Sequence, residues 1–178
     1  KLQKKYGKEK GTKIGIIIGL ISGWSFFLFW FGIWLLPQVR FIIPLLENFY
    51  IIIPIINISI YLLHFMISLP FIIIGAWFGI SGVKKITLKV AETQRPDKIV
   101  STGLYSIIRH PQYFGGILSH IGITFLLSSF FSLLFTPLII FLNFLMAWKE
   151  EKELIKEFGE EYEDYKKKVP MFIPKLKK

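Results

Sequence analysis

Long uncharged runs dominate the pattern of hydrophobic and polar positions along this chain. A helix needs roughly 20 consecutive apolar residues to cross the hydrocarbon core of a bilayer. Soluble domains do not carry several runs of that length, so the pattern predicts an integral membrane protein, an all-α bundle of helices. Three runs contain no Asp, Glu, Lys or Arg: residues 14–36, 51–80 and 112–148.

The first two runs each predict one membrane-spanning helix. Residues 14–36 form the first span, and they exceed the apolar core of a secretory signal peptide. Residues 51–80 form the second span, which is longer than one crossing needs. Because it contains Pro54 and Pro70, we expect it to be tilted, kinked or partly interfacial.

The third run is too long for one span and predicts a transmembrane hairpin. It divides at Ser128 and Ser129, which leaves about 18 residues on each side. The runs together predict four spans. A five-span alternative inserts residues 41–59 separately, which buries Glu47 and places the basic N-terminus outside. The two arms of the hairpin are residues 112–128 and 130–148.

Charge fixes the orientation of these spans. The net charge is +10, and the basic residues gather in residues 1–13, 84–109 and 166–178. Basic segments beside membrane spans mark the cytoplasmic side and face anionic lipid headgroups, so nucleic acid is not an expected partner. With four spans all three segments share that side, and residues 81–111 and 149–178 become cytosolic regions of one membrane-embedded domain, residues 1–178.

The C-terminal region predicts an amphipathic cytosolic helix that continues from the last span. Eight of the twelve acidic residues lie within residues 150–164, and Pro170 and Pro174 end the helix. Its apolar residues recur at helical spacing: Leu154, Ile155, Phe158, Tyr162 and Tyr165.

The densest polar cluster lies where the hairpin begins. Pro111 suits the first turn of a helix, because its missing N–H would have no partner there. The free N–H groups and the positive dipole end of that helix then face the cytoplasmic boundary, where they suit an anion. The chain has no cysteine, which excludes thiolate chemistry, and its three histidines lack metal-binding spacing, so no metal is predicted.

A short hairpin brings its two ends together. We therefore expect Arg109, His110 and Tyr113 to face Glu150 and Glu151 across one pocket. A basic and aromatic wall opposite an acidic wall suits a zwitterionic or cationic ligand, such as an amino-acid head. The alternative is that the arginine anchors to headgroups, the tyrosine joins an interfacial belt, and the glutamates lie on a solvated face.

Two motifs around this hairpin resemble a known family. Residues 103–115 read G-L-Y-S-I-I-R-H-P-Q-Y-F-G, similar to the G-x-Y-x-x-x-R-H-P-x-Y-x-G signature of the isoprenylcysteine carboxyl methyltransferases, a set that extends to the phospholipid N-methyltransferases. Glu150-Glu151 and residues 158–170 resemble the C-terminal block of that family. The resemblance covers roughly residues 99–174.

The resemblance implies a membrane-embedded methyltransferase that uses S-adenosylmethionine on a lipophilic acceptor, with its active site at the cytoplasmic face. The host membrane would be the plasma membrane in a prokaryote and the endoplasmic reticulum in a eukaryote. The candidate catalytic residues are Arg109, His110 and Glu150. The candidate cofactor-binding residues are Lys98, Ile99, Val100, Tyr105, His110, Pro111, Gln112, Tyr113, Glu150 and Glu151.

One position departs from the family pattern. Met146 stands where the prenylcysteine enzymes carry an arginine, four residues before the glutamate. That arginine is thought to hold the substrate carboxylate. An isoprenylcysteine carboxylate remains the favoured acceptor, and the amine of a phosphatidylethanolamine-type lipid is the alternative.

Two other classes stay open. The NADPH-dependent sterol reductases share this hairpin but usually show asparagine at Gln112 and tryptophan at Tyr162. A non-enzymatic membrane scaffold would keep the fold and bind no cofactor. The sequence does not predict an oligomeric state.

Overall fold

The computed structural model describes residues 6–55, 57–85 and 99–174. Helices dominate these residues, with one small hairpin of strands between the first two helices. A 3₁₀ turn, Gly103–Ser106, precedes the third helix. The elements in chain order are α1 (Lys8–Leu35), β1 (Tyr50–Ile53), β2 (Ile58–Tyr61), α2 (Leu62–Lys85), α3 (Pro111–Leu126), α4 (Phe130–Phe158) and α5 (Glu160–Lys168).

Helices α2 and α3 form the closest helix pair of the described bundle, because small residues face each other along the contact. A Cβ atom added to Gly75 would lie 2.6 Å from the backbone nitrogen of Ser119. A Cβ atom added to Gly115 would lie 2.5 Å from the backbone nitrogen of Gly79. Packing through small residues is typical of membrane helices, where close van der Waals contact drives association.

The turn between α3 and α4 is fixed by the segment that follows α1. Arg40 donates hydrogen bonds of 3.1 Å to the carbonyls of Trp34 and Leu127. Phe41 N donates to the Ser128 carbonyl at 3.1 Å. The His64 Nδ1 atom lies 2.7 Å from Ser128 Oγ. These contacts tie three helices together at the end of the hairpin away from His110.

Two helices among the described residues are long and apolar enough to cross a membrane, Leu62–Lys85 and Phe130–Phe158. Only 22% of the most apolar window of each helix is buried inside the structure. The remaining apolar surface faces outward, as expected for helices in contact with lipid. The number of crossings stays a prediction.

The structure corrects the predicted helical span over residues 51–80. Residues 50–53 and 58–61 pair as antiparallel strands in which Tyr50 lies opposite Tyr61, and the helix begins only at Leu62. The strands are rich in β-branched isoleucine, which favours extended backbone. Pro54 and Asn57, with a φ of +49°, form the turn. The fold is thus mostly helical rather than all-α.

The tail helix continues from the last span, as the sequence predicts, but it is interrupted once. Helix α4 runs ten residues past Trp148, so its last turns are polar. The chain then bends at Gly159, whose φ of +55° lies in a region that favours glycine. The amphipathic segment is therefore divided between the end of α4 and the separate helix α5.

Candidate functional site

The loop before α3 meets the C-terminal tail and the polar end of α4 at one place. Arg109 N donates to the carbonyl of Pro170 at 2.9 Å, and His110 N donates to the carbonyl of Met171 at 3.2 Å. The His110 ring also lies 6.0 Å from the Phe172 ring, measured between centroids. The tail therefore runs alongside the His110 loop and covers one side of it.

Glu151 is the ionic centre of this region. Its Oε1 atom accepts a hydrogen bond of 2.6 Å from Arg109 Nε and lies 3.1 Å from His110 Nε2. Its Oε2 atom lies 3.1 Å from Lys166 Nζ. Burial alone would raise the pKa of the Glu151 carboxyl, but the hydrogen bonds and charges of these partners lower it to about 2.

Arg109 is held by protein groups at its Nε and Nη1 atoms. Besides Glu151, its guanidinium donates from Nη1 to the carbonyls of Lys166 and Val169. Its side chain is 9% exposed. A guanidinium can satisfy several acceptors at once because its donors are fixed in one plane. The arginine thus joins the hairpin to the tail.

Glu150 has different surroundings from Glu151. Its Oε2 atom is buried and accepts no hydrogen bond from any described residue, and it lies 3.7 Å from His110 Nδ1. Burial raises the pKa of the Glu150 carboxyl, while His110 and Tyr113 oppose that rise. A buried acceptor without a partner is costly, so this oxygen marks a position where a donor from a ligand would be stabilised.

Aromatic side chains line the same place. The His110 ring lies 5.5 Å from the Tyr113 ring, measured between centroids. Tyr105 is buried beneath the loop, where its carbonyl accepts a 2.5 Å hydrogen bond from the Tyr165 hydroxyl. Burial, assisted by the charge of Glu150, raises the pKa of the Tyr105 phenol. Its hydroxyl therefore stays protonated, and it donates a 3.4 Å hydrogen bond to the Gly82 carbonyl.

The N-terminus of α3 opens onto this cluster. Pro111 occupies the first helical turn, and His110 provides no side-chain cap. Phe114 N donates to the His110 carbonyl at 3.1 Å. The N–H groups of Gln112 and Tyr113 precede that bond, so they have no acceptor within the helix.

The structure brings most of the predicted site residues together. The two hairpin ends meet as expected, with Arg109 and His110 beside Glu150 and Glu151. Ile99 packs against the apolar side of the tail. Lys98 lies outside the described residues.

Lys166, which contacts the second carboxylate oxygen of Glu151, was not predicted from the sequence. One signal could have found it, because Lys166 follows Tyr162 by one helical turn and so shares the face that packs on the bundle. The carbonyl acceptors of Arg109 left no signal, since backbone contacts are not encoded by residue type.

A known family matches most of the region that contains the two motifs. The sequence model of the phospholipid methyltransferase family matches residues 63–161, more than half of the chain. The chain belongs to the phospholipid methyltransferase family. The match includes α2, the His110 loop, the hairpin of α3 and α4, and both glutamates, which confirms the resemblance that the two motifs predicted.

Two methyltransferases that are named for different acceptors are similar to part of the chain. The protein-S-isoprenylcysteine O-methyltransferase of Schizosaccharomyces pombe is 38% identical over 87 residues, which cover 48% of this chain and 37% of that protein. The methanethiol S-methyltransferase 1 of Bradyrhizobium diazoefficiens is 32% identical over 98 residues, 54% of this chain and 34% of that protein. The matched region thus spans about a third of the length of these relatives.

The fold has a solved counterpart. It resembles the structure of the eukaryotic intramembrane Ras methyltransferase, isoprenylcysteine carboxyl methyltransferase, with a TM-score of 0.51 and 18% sequence identity. The likeness covers 97% of this chain and 59% of that protein. Together with the outward-facing apolar helices, it confirms the mostly helical membrane fold predicted from the uncharged runs.

Proposed function

We propose that this protein transfers the methyl group of S-adenosylmethionine to a lipophilic acceptor at the cytoplasmic boundary of the membrane. The observation that carries the proposal is Glu150. Its buried oxygen without a described partner lies beside His110, where the two ends of the hairpin meet. Membership of the phospholipid methyltransferase family supports the reaction class.

The residues around Glu150 suit the amino-acid head of this cofactor. That head carries an ammonium group and a carboxylate. The Glu150 carboxylate would accept from the ammonium, and the N–H groups of Gln112 and Tyr113 at the positive end of α3 would donate to the carboxylate. The proposed cofactor set also includes Ile99, Val100, Tyr105, His110 and Pro111, together with Lys98, which lies outside the described residues.

The chain's own groups would orient the reactants and exclude water. When bound, the cofactor supplies an electrophilic methyl group on a sulfonium centre, so the protein needs mainly to position the acceptor in line with it. A carboxylate acceptor needs no base. An amine acceptor must first lose a proton, and His110 is the proposed base, because Glu150 is already assigned to the ammonium group of the cofactor.

Arg109 was predicted as a catalytic residue, and its contacts favour a supporting role. Its guanidinium is held by Glu151 and by carbonyls of the tail. We place it outside the group that touches the acceptor. His110 and Glu150 keep their proposed roles at the reacting end of the site.

The acceptor we propose is an isoprenylcysteine-like carboxylate carried on a lipid chain. One observation favours the second candidate, the amine of a phosphatidylethanolamine-type lipid. Position 146 is a methionine rather than an arginine, so it provides no cation for a carboxylate. Its side chain also lies on the outward face of α4, at 40% exposure.

The two acceptors give products that a single assay separates. Purified protein would be incubated with S-adenosylmethionine labelled on the methyl group, and with either a farnesylated cysteine or phosphatidylethanolamine. A methyl ester releases the label as methanol in base, whereas an N-methyl amine keeps it. We predict base-labile label from the farnesylated cysteine. Base-stable label on phosphatidylethanolamine alone would assign the amine acceptor instead.

Calorimetric titration tests cofactor binding. We predict that detergent-purified protein binds S-adenosylhomocysteine saturably, and that the Glu150→Gln and His110→Ala variants bind it at least about tenfold more weakly, because each loses a polar partner at the proposed cofactor position. Glu157→Gln is the matched control, since this exposed glutamate lies on the same helix. Binding of NADPH alone would favour the reductase class, and binding of neither ligand by a folded sample would favour a scaffold.

A further inference from the structure

The two adjacent glutamates have different contacts, and these contacts indicate different roles. Both carboxylate oxygens of Glu151 have cationic or imidazole partners within 3.1 Å. The Oε2 atom of Glu150 accepts no hydrogen bond from any described residue. Glu151 therefore has no free oxygen facing a ligand, although the sequence pattern placed both glutamates among the cofactor-binding residues.

The contact with Glu151 selects one form of the His110 ring. The Glu151 carboxylate stays ionised because its pKa is low, so it can only accept hydrogen bonds. The nearby ring nitrogen, His110 Nε2, must then carry a proton and donate it across the 3.1 Å contact. The other nitrogen, Nδ1, is directed at Glu150, with Oε2 at 3.7 Å. Glu151 thus sets both the tautomer and the orientation of the ring that faces the proposed cofactor position.

The same carboxylate connects the ring to the tail. Arg109 bridges Glu151 to the carbonyls of Lys166 and Val169, and the Lys166 ammonium contacts the other carboxylate oxygen. Loss of the Glu151 charge would leave two buried or half-buried cations without their shared partner, which is strongly unfavourable. Loss of the Glu151 charge would therefore free both the His110 ring and the C-terminal tail from their positions.

We propose that Glu151 is a positioning residue, which holds His110 in the Nε2–H form and docks the C-terminal tail over the site, while Glu150 is the one of the two glutamates that contacts the ligand. This inference rests on the proposed function, because it assigns the arrangement of the same cofactor site. It also separates a residue that acts through His110 from the residue that binds.

The test compares Glu151→Gln with wild type in two measurements. The first is titration with S-adenosylhomocysteine, in which we expect affinity to fall about tenfold. The second is nitrogen NMR of protein labelled at histidine, which has only three histidines to resolve. We expect the His110 signal, assigned by its loss in His110→Asn, to change from one protonated Nε2 to a mixture of tautomers. A merely structural role would not change the tautomer.

A matched variant controls for loss of a glutamate charge. Glu153 lies two residues further along α4 and pairs with Lys156 at 2.7 Å on the exposed surface. Glu153→Gln should leave both the affinity and the His110 signal unchanged, because exposed pairs contribute little. Glu151→Asp keeps the charge and should restore part of the affinity.

The outcomes separate this inference from the proposed function. Failure of wild type to bind S-adenosylhomocysteine would overturn the proposed function itself. Wild-type binding together with unchanged affinity and an unchanged His110 signal in Glu151→Gln would overturn the positioning role. If Glu151→Gln does not fold, Lys166→Met removes one partner of Glu151 at a half-buried position, and it should weaken binding several-fold and shift the same His110 signal. No change in Lys166→Met would contradict the inference equally.

Discussion

Glu150 and Glu151 show how neighbouring carboxyl groups acquire opposite properties in one fold. Successive side chains on a helix point about 100° apart. Glu151 therefore faces the tail and the Nε2 edge of the His110 ring, whereas Glu150 faces the Nδ1 edge. The pKa of Glu151 is lowered to about 2 by its cationic partners, whereas burial raises the pKa of Glu150. The sequence predicted that both glutamates would lie at the site, but not which of them would form ion pairs with cations of the protein.

These shifts predict how stability depends on pH. A carboxyl with a depressed pKa in the folded state contributes stability above its unfolded pKa, and loses it as pH falls from about 4.5 toward about 2. For Glu151 the full contribution is on the order of 3 kcal/mol. Glu150 has the opposite sign, since a raised pKa favours the fold at low pH and loses that contribution as pH rises.

The measurement is thermal unfolding in detergent between pH 6 and pH 3. We expect wild type to lose more stability than Glu151→Gln over this interval, because only wild type has the carboxylate to protonate. Equal losses in the two proteins would show that the Glu151 network contributes nothing to folding.

The close contact of α2 with α3 places the His110 loop at the level of the basic end of α2. The hydroxyl of Tyr105 lies 3.4 Å from the carbonyl of Gly82, near the end of α2. The geometry of the site therefore depends on how closely these two helices approach. Small residues permit that approach, and a single added methyl group is enough to test it.

We predict that Gly115→Ala destabilises the protein by about 1 to 3 kcal/mol, because its Cβ would lie 2.5 Å from backbone on α2 and must push the helices apart. Gly116→Ala is the matched control. Its nearest neighbour is the far end of the Trp30 ring at 4.0 Å, so alanine there should be neutral or slightly stabilising. Equal melting temperatures for the two variants would refute the packing argument.

Element prediction succeeded where apolar runs were long and failed where they were mixed with turn residues. The hairpin of α3 and α4 follows from the length of residues 112–148 and from Pro111 at its start. The strands at residues 50–61 were missed, because a run of isoleucines satisfies a membrane helix and a strand equally. The bend at Gly159 was also missed, since glycine is tolerated inside helices; after the bend, the Tyr165 hydroxyl donates to the Tyr105 carbonyl in the loop.

At the scale of the whole molecule, the site is assembled from segments far apart in the chain. Residues 105–113, 150–151 and 165–172 meet at one end of the bundle. Two family motifs covered the first two segments and residues 165–170 of the third, because their residue types carry the chemistry. The carbonyl contacts of the third segment with Arg109 and His110 could not be predicted, because they do not depend on residue identity.

The central claim is that this assembled site supports methyl transfer. The most direct measurement is transfer of a labelled methyl group from S-adenosylmethionine into lipid extracts by the purified protein, with Glu157→Gln and Glu150→Gln alongside. The account predicts label in the lipid fraction with wild type and with Glu157→Gln, and a loss of at least about tenfold with Glu150→Gln. Transfer at the wild-type rate by Glu150→Gln would contradict the assigned site. If none of the folded samples transfers the label although lipid is present, the proposed activity is contradicted.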